Sequence, residues 1–182
     1  MKKGLLFTSL LGVVLLAGCG TKTPTVTVDT VATGSAVTTF STSGFSVEYP
    51  ATWAVQENVY GAQVMFFSPQ LSGDKFRENV GIVSETLPST MAVADYYTSI
   101  KTQLTSIVQG YQELSNEDIT IAGVAAKKIV YVGTQSNYEL KWMQTMLIKN
   151  KTAYVISYTA SAGTFDEFKK EADAIVKSFV LK

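Results

Sequence analysis

Two long runs of alternating apolar and polar residues, joined by a short polar loop, constrain the fold of this chain more than any other feature. In Tyr138–Ile148 apolar side chains recur at alternate positions, and the same holds for Thr152–Ala160. The polar pair Asn150-Lys151 lies between the two runs. A period of two is typical of a β-strand, and two such runs around a short loop predict an antiparallel hairpin.

More strands are predicted on both sides of this hairpin. Some show the same alternation, and others are short apolar runs that end at proline, glycine or polar residues. The predicted strands are Gly44–Tyr49, Ala54-Val55, Gln63–Ser68, Val80–Thr86, Tyr111–Ser115, Asp118–Ile121 and Ala125–Gly133.

Two segments have apolar residues at helical spacing. The first follows Pro88, with Ser89 or Thr90 as the predicted N-cap and Gly110 as the predicted stop. The second is predicted to begin at Thr164, where a glutamate three residues later completes a capping box. Strands, a helix, many more strands and a second helix indicate an α+β protein. One central sheet with amphipathic helices packed on it is the simplest arrangement.

The N-terminal residues resemble the export signal of a bacterial lipoprotein. Lys2 and Lys3 precede an apolar run over residues 5–16, which is shorter than the roughly 20 residues that cross a bilayer. The run ends in Leu16-Ala17-Gly18-Cys19, which resembles a lipobox and contains the only cysteine of the chain. The resemblance implies that Cys19 becomes the diacylglyceryl-modified, acylated N-terminus. Two or more acyl chains hold a protein firmly in a membrane.

These observations divide the chain into three parts. Residues 1–18 are predicted to be a signal peptide, and residues 19–38 a lipidated cysteine with a flexible tether. The tether lacks bulky core residues, and as a coil it would span roughly 25 Å. Residues 39–182 are predicted to form one domain of ordinary size.

Composition excludes several classes of function. The chain has no histidine, which removes Ser-His-Asp and Cys-His catalysis and the usual zinc sites. Removal of residues 1–18 takes away two of the 15 basic residues and none of the 15 acidic ones, so the mature chain is slightly acidic. Without a basic patch, nucleic acid is not an expected partner. No enzymatic activity, cofactor or metal is expected.

The start of the predicted domain resembles the PsbP-like family, of the PsbP/LpqN type. The stretch Phe45–Trp53 (FSVEYPATW) is similar to the family's opening, and Ile121–Ala126 (IAGVAA) is similar to its mid-chain turn. The resemblance extends over about residues 40–181. It implies an α/β/α sandwich around an antiparallel sheet, and binding or accessory roles that differ between members.

Two pieces of the chain are not explained by the predicted core. One is Tyr60 with the glycine after it, and the other is the polar loop Gln70–Asn79, which carries Phe76 between Lys75 and Arg77. Aromatic and arginine side chains are enriched at binding hot spots, and loops often carry function. We therefore predict that Tyr60, Phe76 and Arg77 contact a partner. The alternative, which the sequence slightly favours, is that Phe76 simply folds back to cap the sheet edge.

The remaining candidates receive structural interpretations. Trp53 is expected to pack under the first helix, and Trp142 is expected to lie in the core. Asp74, Glu78 and Glu85 are the nearest thing to a carboxylate group, but their spacing matches no calcium loop. We expect these three carboxylates to be solvated.

The sequence therefore predicts a membrane-anchored, extracytoplasmic lipoprotein whose domain is a non-enzymatic binding or assembly module. It would sit on the outer face of the cell membrane, or in the outer membrane of a Gram-negative source, and bind an envelope protein. One alternative is an extrinsic subunit of an envelope or photosystem II complex. Another is a carrier of a small ligand or lipid, for which a large apolar cavity is expected.

Overall fold

The computed structural model of this protein describes residues 36–182. The predicted signal peptide, Cys19 and most of the predicted tether lie outside the described residues. The first strand begins at Val37, two residues before the predicted start of the domain.

The described chain contains strands and two helices, numbered in chain order. They are β1 Val37–Ser41, β2 Phe45–Pro50, β3 Ala54–Val59, β4 Ala62–Phe67, β5 Asn79–Thr86, α1 Val93–Ile107, β6 Gln109–Ile121, β7 Val124–Gln135, β8 Tyr138–Lys149, β9 Thr152–Ser161, α2 Lys169–Lys177 and β10 Val180–Leu181.

Most of these strands form one antiparallel sheet of seven, in the order β3-β4-β5-β9-β8-β7-β6. The predicted hairpin is confirmed as β8 and β9, which pair from Lys149 opposite Thr152 to Leu140 opposite Ser161. Its turn residues Asn150 and Lys151 have φ angles of 50° and 61°. Positive φ at both central residues defines a type I′ turn, whose twist matches that of the strands.

The two helices cover opposite faces of the seven-stranded sheet, as the α+β prediction has it. Side chains alternate along β8, so Trp142 and Met146 join the core cluster that contains α1, and Met143 and Leu147 join the cluster that contains α2. Thr145, although polar, is fully buried, because both faces of the sheet are covered.

A second, smaller sheet was not predicted. It has the order β1-β2-β10 and covers the α2 face of the large sheet together with α2. Phe45 and Val47 of β2 are buried in that core. The sequence gives little sign of β1 and β10, since β1 is mostly exposed and β10 has two residues.

β6 is also longer than predicted. The sequence suggested two short strands, whereas the structure has a single strand of 13 residues. The break in the alternation comes from a register shift between Glu113 and Ser115, where one extra residue bulges out of the ladder with β7.

The predicted ends of the first helix are wrong. α1 begins at Val93 after Ala92, and no side chain caps it. Ser89 and Thr90 lie in the segment that leads from the sheet to the helix. The helix ends at Ile107, and Gly110, with a φ of 67°, already belongs to β6.

The predicted capping box of the second helix is also wrong. α2 begins at Lys169, and Thr164 lies in the turns before it. The hydroxyl of Thr164 donates to Glu78, whereas a capping box requires its oxygen to accept from a helix N–H group. Trp53 is buried as predicted, but it packs edge-on against Phe168 beside α2 and not under α1.

Candidate functional site

The residues predicted to bind a partner do not form one site. Cys19 lies outside the described residues. Tyr60 is at the tip of the β3–β4 hairpin, 40% exposed, while Phe76 and Arg77 are in the loop that follows β4. The hairpin and the loop are at opposite ends of β4, a strand of six residues, and thus about 20 Å apart.

Phe76 packs inwards, as the alternative interpretation has it. Its side chain is 8% exposed and joins the α1 core cluster, with its ring 5.5 Å from that of Tyr138. Its N–H donates to Asp74 Oδ1 over 2.9 Å, so the loop is held by its own carboxylate. The ring is therefore not available to a partner in this conformation.

Arg77 holds the same loop against the sheet. Its Nε donates to the carbonyl of Ser68, and its guanidinium lies 5.6 Å from the centre of the Phe67 ring. Burial lowers the pKa of Arg77, which nevertheless remains a cation. These contacts explain the presence of Phe76 and Arg77 in this loop by packing. That Arg77 also contacts a partner stays a prediction.

The three candidate carboxylates are separated, and none of them is fully solvated: Glu78 is buried, while Asp74 and Glu85 are half-buried. Glu78 is fully buried and accepts a hydrogen bond of 2.5 Å from Thr164. Glu85 is seven residues further along β5 and accepts a hydrogen bond of 2.6 Å from Tyr96 of α1. Within residues 36–182, no three acidic, cysteine or histidine side chains converge to hold a metal ion.

A polar cluster that the sequence did not predict joins α1 to β6. Its centre is Glu113, whose Oε2 accepts hydrogen bonds from the hydroxyls of Tyr97 (2.7 Å) and Tyr111 (3.1 Å). Its Oε1 accepts from Lys101 (3.3 Å) and Asn116 (3.4 Å). We call these five residues the α1–β6 cluster. Four donors leave the carboxylate little capacity to bind anything else, which indicates a positioning role.

The electrostatics of the cluster agree with that role. Burial alone would raise the pKa of Glu113, but the hydrogen bonds from Tyr97, Lys101 and Tyr111 outweigh it and the pKa is lowered. Burial and the bond to Glu113 raise the pKa of Tyr111, which therefore stays protonated and keeps donating. The cluster thus remains intact across neutral pH.

Tyr111, a member of the α1–β6 cluster, also belongs to an aromatic stack. The ring of Tyr111 lies 5.1 Å from that of Tyr131, which in turn stacks at 4.9 Å on Trp142. The backbone at the start of β6 lies close to the backbone of β7. A Cβ added to Gly133 would lie only 2.9 Å from the carbonyl oxygen of Gln109. These contacts fix the start of β6 against β7 and α1.

Exposed apolar side chains lie next to this rigid region. Ile107, at the end of α1, is 44% exposed, and Leu114, at the bulge of β6, is 49% exposed. Beyond the bulge, β6 continues as an edge strand of the seven-stranded sheet. Exposed apolar groups on a fixed edge are suited to contact another protein. The sequence did not indicate this edge, since two short strands were expected there.

The surface of α2 offers a different kind of feature. An open cleft of about 460 Å³ is lined by Asp166, Lys169, Lys170, Asp173, Ala174 and Lys177. Asp173 accepts from Lys128 (2.8 Å) and Lys169 (3.0 Å), so its carboxylate is paired with two ammonium groups. The lining is charged and solvent-accessible, unlike the enclosed apolar cavity that a lipid carrier needs.

The fold defines an antiparallel α+β sandwich with a helix on each face of its large sheet. A family model described as PsbP-like protein matches residues 23–181. The chain therefore belongs to the PsbP-like family. No curated protein sequence matches it. None of the helices in residues 36–182 has the length and apolar character needed to cross a bilayer.

Solved structures share the fold at low sequence identity. LpqN of Mycobacterium tuberculosis, described as involved in cell envelope biogenesis, is 11% identical with a TM-score of 0.66, over 81% of this chain and 91% of that chain. Cyanobacterial PsbP of Synechocystis sp. PCC 6803 is 15% identical with a TM-score of 0.60, over 85% and 98%. The Ran-binding protein Mog1p of Saccharomyces cerevisiae is 7% identical with a TM-score of 0.52, over 74% and 88%.

Proposed function

We propose that this protein is a non-enzymatic accessory module that binds a protein of the cell envelope while a lipid on Cys19 holds it at the membrane. The observation that carries the proposal is the position of the family match, which begins at residue 23, four residues after Cys19. PsbP-like proteins are generally non-enzymatic accessory proteins. An anchoring signal directly before such a domain fits an accessory protein that works at a membrane.

The length of the intervening chain limits where the module can act. Residues 20–36 lie between Cys19 and the start of β1 at Val37. Even fully extended, a chain of this length reaches about 60 Å. A module anchored at Cys19 therefore meets partners within that distance of the lipid surface, which favours a membrane protein or another anchored envelope protein.

The anchoring part of the proposal is tested by Cys19→Ala in the native host. We expect the variant to accumulate as an unprocessed precursor that incorporates no labelled palmitate, because the thiol that accepts the lipid is missing. Thr21→Ala, two residues downstream, is the matched control and should be processed like the parent. Maturation and membrane fractionation of Cys19→Ala at the parent's level would contradict the anchoring.

The binding part is tested by affinity purification of the lipidated protein from its own membranes after cross-linking. We expect one envelope protein to co-purify in proportion to the bait. Of the three residues predicted to contact a partner, Tyr60 is exposed enough to be truncated without loss of packing. Tyr60→Ala should weaken capture at an unchanged melting temperature. Capture at the parent's level would remove Tyr60 from the contact surface.

A further inference from the structure

The outer edge of β6 is a regular stretch of sheet backbone without a neighbouring strand in the described chain. β6 is the last strand in the order of the seven-stranded sheet, and it pairs with β7 on one side only. From Ser115 to Ile121 the ladder with β7 has no register shift, so the regular edge is about 24 Å long. Alternate residues of such a strand direct their N–H and C=O groups away from the sheet. Within residues 36–182, no other element hydrogen-bonds the backbone of this stretch.

Apart from its acidic side chains, this edge lacks the features that usually protect an exposed strand. Native edges carry proline, charged side chains (lysine above all) or bulges, or they are very short. The register shifts of β6 all precede Ser115, and residues 115–121 contain neither proline nor a basic residue. The opposite edge strand, β3, has six residues and includes Asn58 with a φ of 54°. The β6 edge is thus the longer and more regular of the two.

The side chains along this edge are acidic. Asp118 is 82% exposed and bonds Lys127, whereas Glu117 is exposed and faces Lys128, whose Nζ already bonds Asp173. A second copy of the chain, paired antiparallel about Asp118, would place two aspartates opposite each other, which is unfavourable. Charge complementarity therefore favours a basic strand over a second copy.

We propose that the outer edge of β6, residues 115–121, binds an extended basic segment of the partner protein by β-strand addition. Main-chain hydrogen bonds to the free edge supply affinity, and basic side chains opposite Glu117 and Asp118 supply specificity. Leu114 provides an apolar contact at the start of the edge. This inference rests on the proposed function and names its contact surface and the chemistry of the partner segment.

The test uses the peptide Val-Thr-Val-Lys-Lys-Thr-Val, which places its two lysines opposite Asp118 and Glu117 in an antiparallel register. Binding to the folded protein is measured by titration, with the same peptide carrying two glutamates as its control. We expect Glu117→Lys to weaken binding of the lysine peptide about tenfold. The matched variant Glu57→Lys, on the exposed edge strand β3, should leave binding unchanged. The proposal would be overturned if the lysine peptide bound Glu117→Lys and Glu57→Lys equally well, or if it did not bind the parent protein.

Backbone pairing is tested separately from charge. The lysine peptide is N-methylated at alternate residues, in one version at odd positions and in another at even positions. Only one version presents its N–H groups to the edge, so one should bind and the other should fail. The bound peptide should also slow amide exchange in residues 115–121 but not in β3. Equal binding of both methylated peptides, or no slowing in β6, would contradict strand addition.

Capture of the native partner separates this inference from the proposed function. If Glu117→Lys loses capture and Glu57→Lys keeps it, the edge is the contact surface. If both variants capture the partner like the parent, the edge inference is wrong and the proposed function stands. If the parent captures nothing, the proposed function fails and the inference fails with it.

Discussion

Thr164, in the turns before α2, donates a hydrogen bond of 2.5 Å to Glu78, although 86 positions separate the two residues. Glu78 is fully buried, and within the described chain its Oε2 has no hydrogen-bond partner. Burial raises the pKa of Glu78 above its ordinary value of 4.5, and the charge of Asp74 raises it further, against the opposing bond from Thr164. The loop after β4 is therefore joined to the α2 region by a carboxyl group that favours its proton.

This contact predicts that stability falls as pH rises. A carboxyl whose pKa is higher in the folded chain stabilises the fold below its unfolded pKa of about 4.5, and this contribution is lost as pH rises through the folded value. Glu78→Gln keeps an acceptor for Thr164 and carries no charge. We expect it to raise the melting temperature at pH 7 and to flatten the decline between pH 4 and 7, measured by calorimetry.

The control for Glu78 is Glu167→Gln, which changes an exposed glutamate in the same turns. This variant should keep the pH profile of the parent. If Glu78→Gln were less stable than the parent at pH 7, the buried carboxyl would be ionised and stabilising there, and the interpretation would be wrong.

A second prediction concerns the two helices, whose contact residues differ in depth. Leu104 of α1 is fully buried, whereas Phe168, just before α2, is half-buried with its ring 5.9 Å from Trp53. Leu104→Ala should cost about 2–5 kcal/mol of unfolding free energy. Phe168→Ala should cost about 1–2 kcal/mol, because less apolar surface is lost. Urea denaturation measures both, and Ser106→Ala on the exposed face of α1 is the control.

Equal losses at the two positions would show that Phe168 is as deeply packed as Leu104 and would contradict the described geometry. In the sequence, both residues belong to the apolar positions at helical spacing from which the two helices were predicted. The sequence could not distinguish them, because the second helix was expected to begin at Thr164 and to include Phe168.

Local pattern predicted the parts of the fold that depend on neighbouring residues. The β8–β9 hairpin follows from alternation around Asn150 and Lys151, and both helices follow from their apolar spacing. The start of the second helix was predicted wrongly because of a distant contact. The hydroxyl of Thr164 bonds Glu78 and does not cap the helix. The small sheet was missed because its edge strands are short or mostly exposed and pair with β2 from opposite ends of the chain.

The candidate surface was harder to predict than the fold. The bond between Tyr97 and Glu113 joins a helix to a strand, and nothing in either segment indicates the other. The bulge at Leu114 interrupts the alternation of β6, so the sequence suggested two short strands instead of one long edge. Phe76 and Arg77 looked unexplained in the sequence because their packing partners, Tyr138 and Ser68, become neighbours only in the folded chain.

A third prediction concerns the hairpin that carries Tyr60. Tyr60 and Gly61 have φ angles of 52° and 78°, as in a type I′ turn, where Asn-Gly is the preferred pair. Tyr60→Asn should therefore stabilise the fold by about 0.5–1 kcal/mol. Gly61→Ala should destabilise it by about 1–2 kcal/mol, because an added Cβ disfavours positive φ. Urea midpoints measure both changes.

Gly163→Ala is the matched control for the turn, because this glycine lies in open space without a positive φ. It should be neutral or slightly stabilising. If Tyr60→Asn lowered stability, the tyrosine side chain would contribute packing that outweighs its unfavourable backbone conformation.

The last prediction concerns the carboxylate at the centre of the α1–β6 cluster. Glu113→Gln replaces one acceptor oxygen by an NH2 group, so either the two tyrosine hydroxyls or Lys101 and Asn116 face a donor instead of an acceptor. We expect a loss of about 1–3 kcal/mol at pH 7, the usual range for hydrogen bonds to a charged group. Urea denaturation at several pH values measures it.

The pH dependence of this loss of stability distinguishes the contribution of the charge of Glu113 from the contribution of its packing. The pKa of Glu113 is lowered in the folded chain, so its contribution is present above the ordinary value of 4.5 and is lost as pH falls through the folded value. The difference between Glu113→Gln and the parent should therefore shrink as the solution becomes acidic. Glu117→Gln, on the same strand but exposed, should follow the parent at every pH. A difference that stayed constant from pH 7 down to pH 3 would mean that Glu113 acts by packing, and that the start of β6 is positioned by the Tyr111–Tyr131 stack alone.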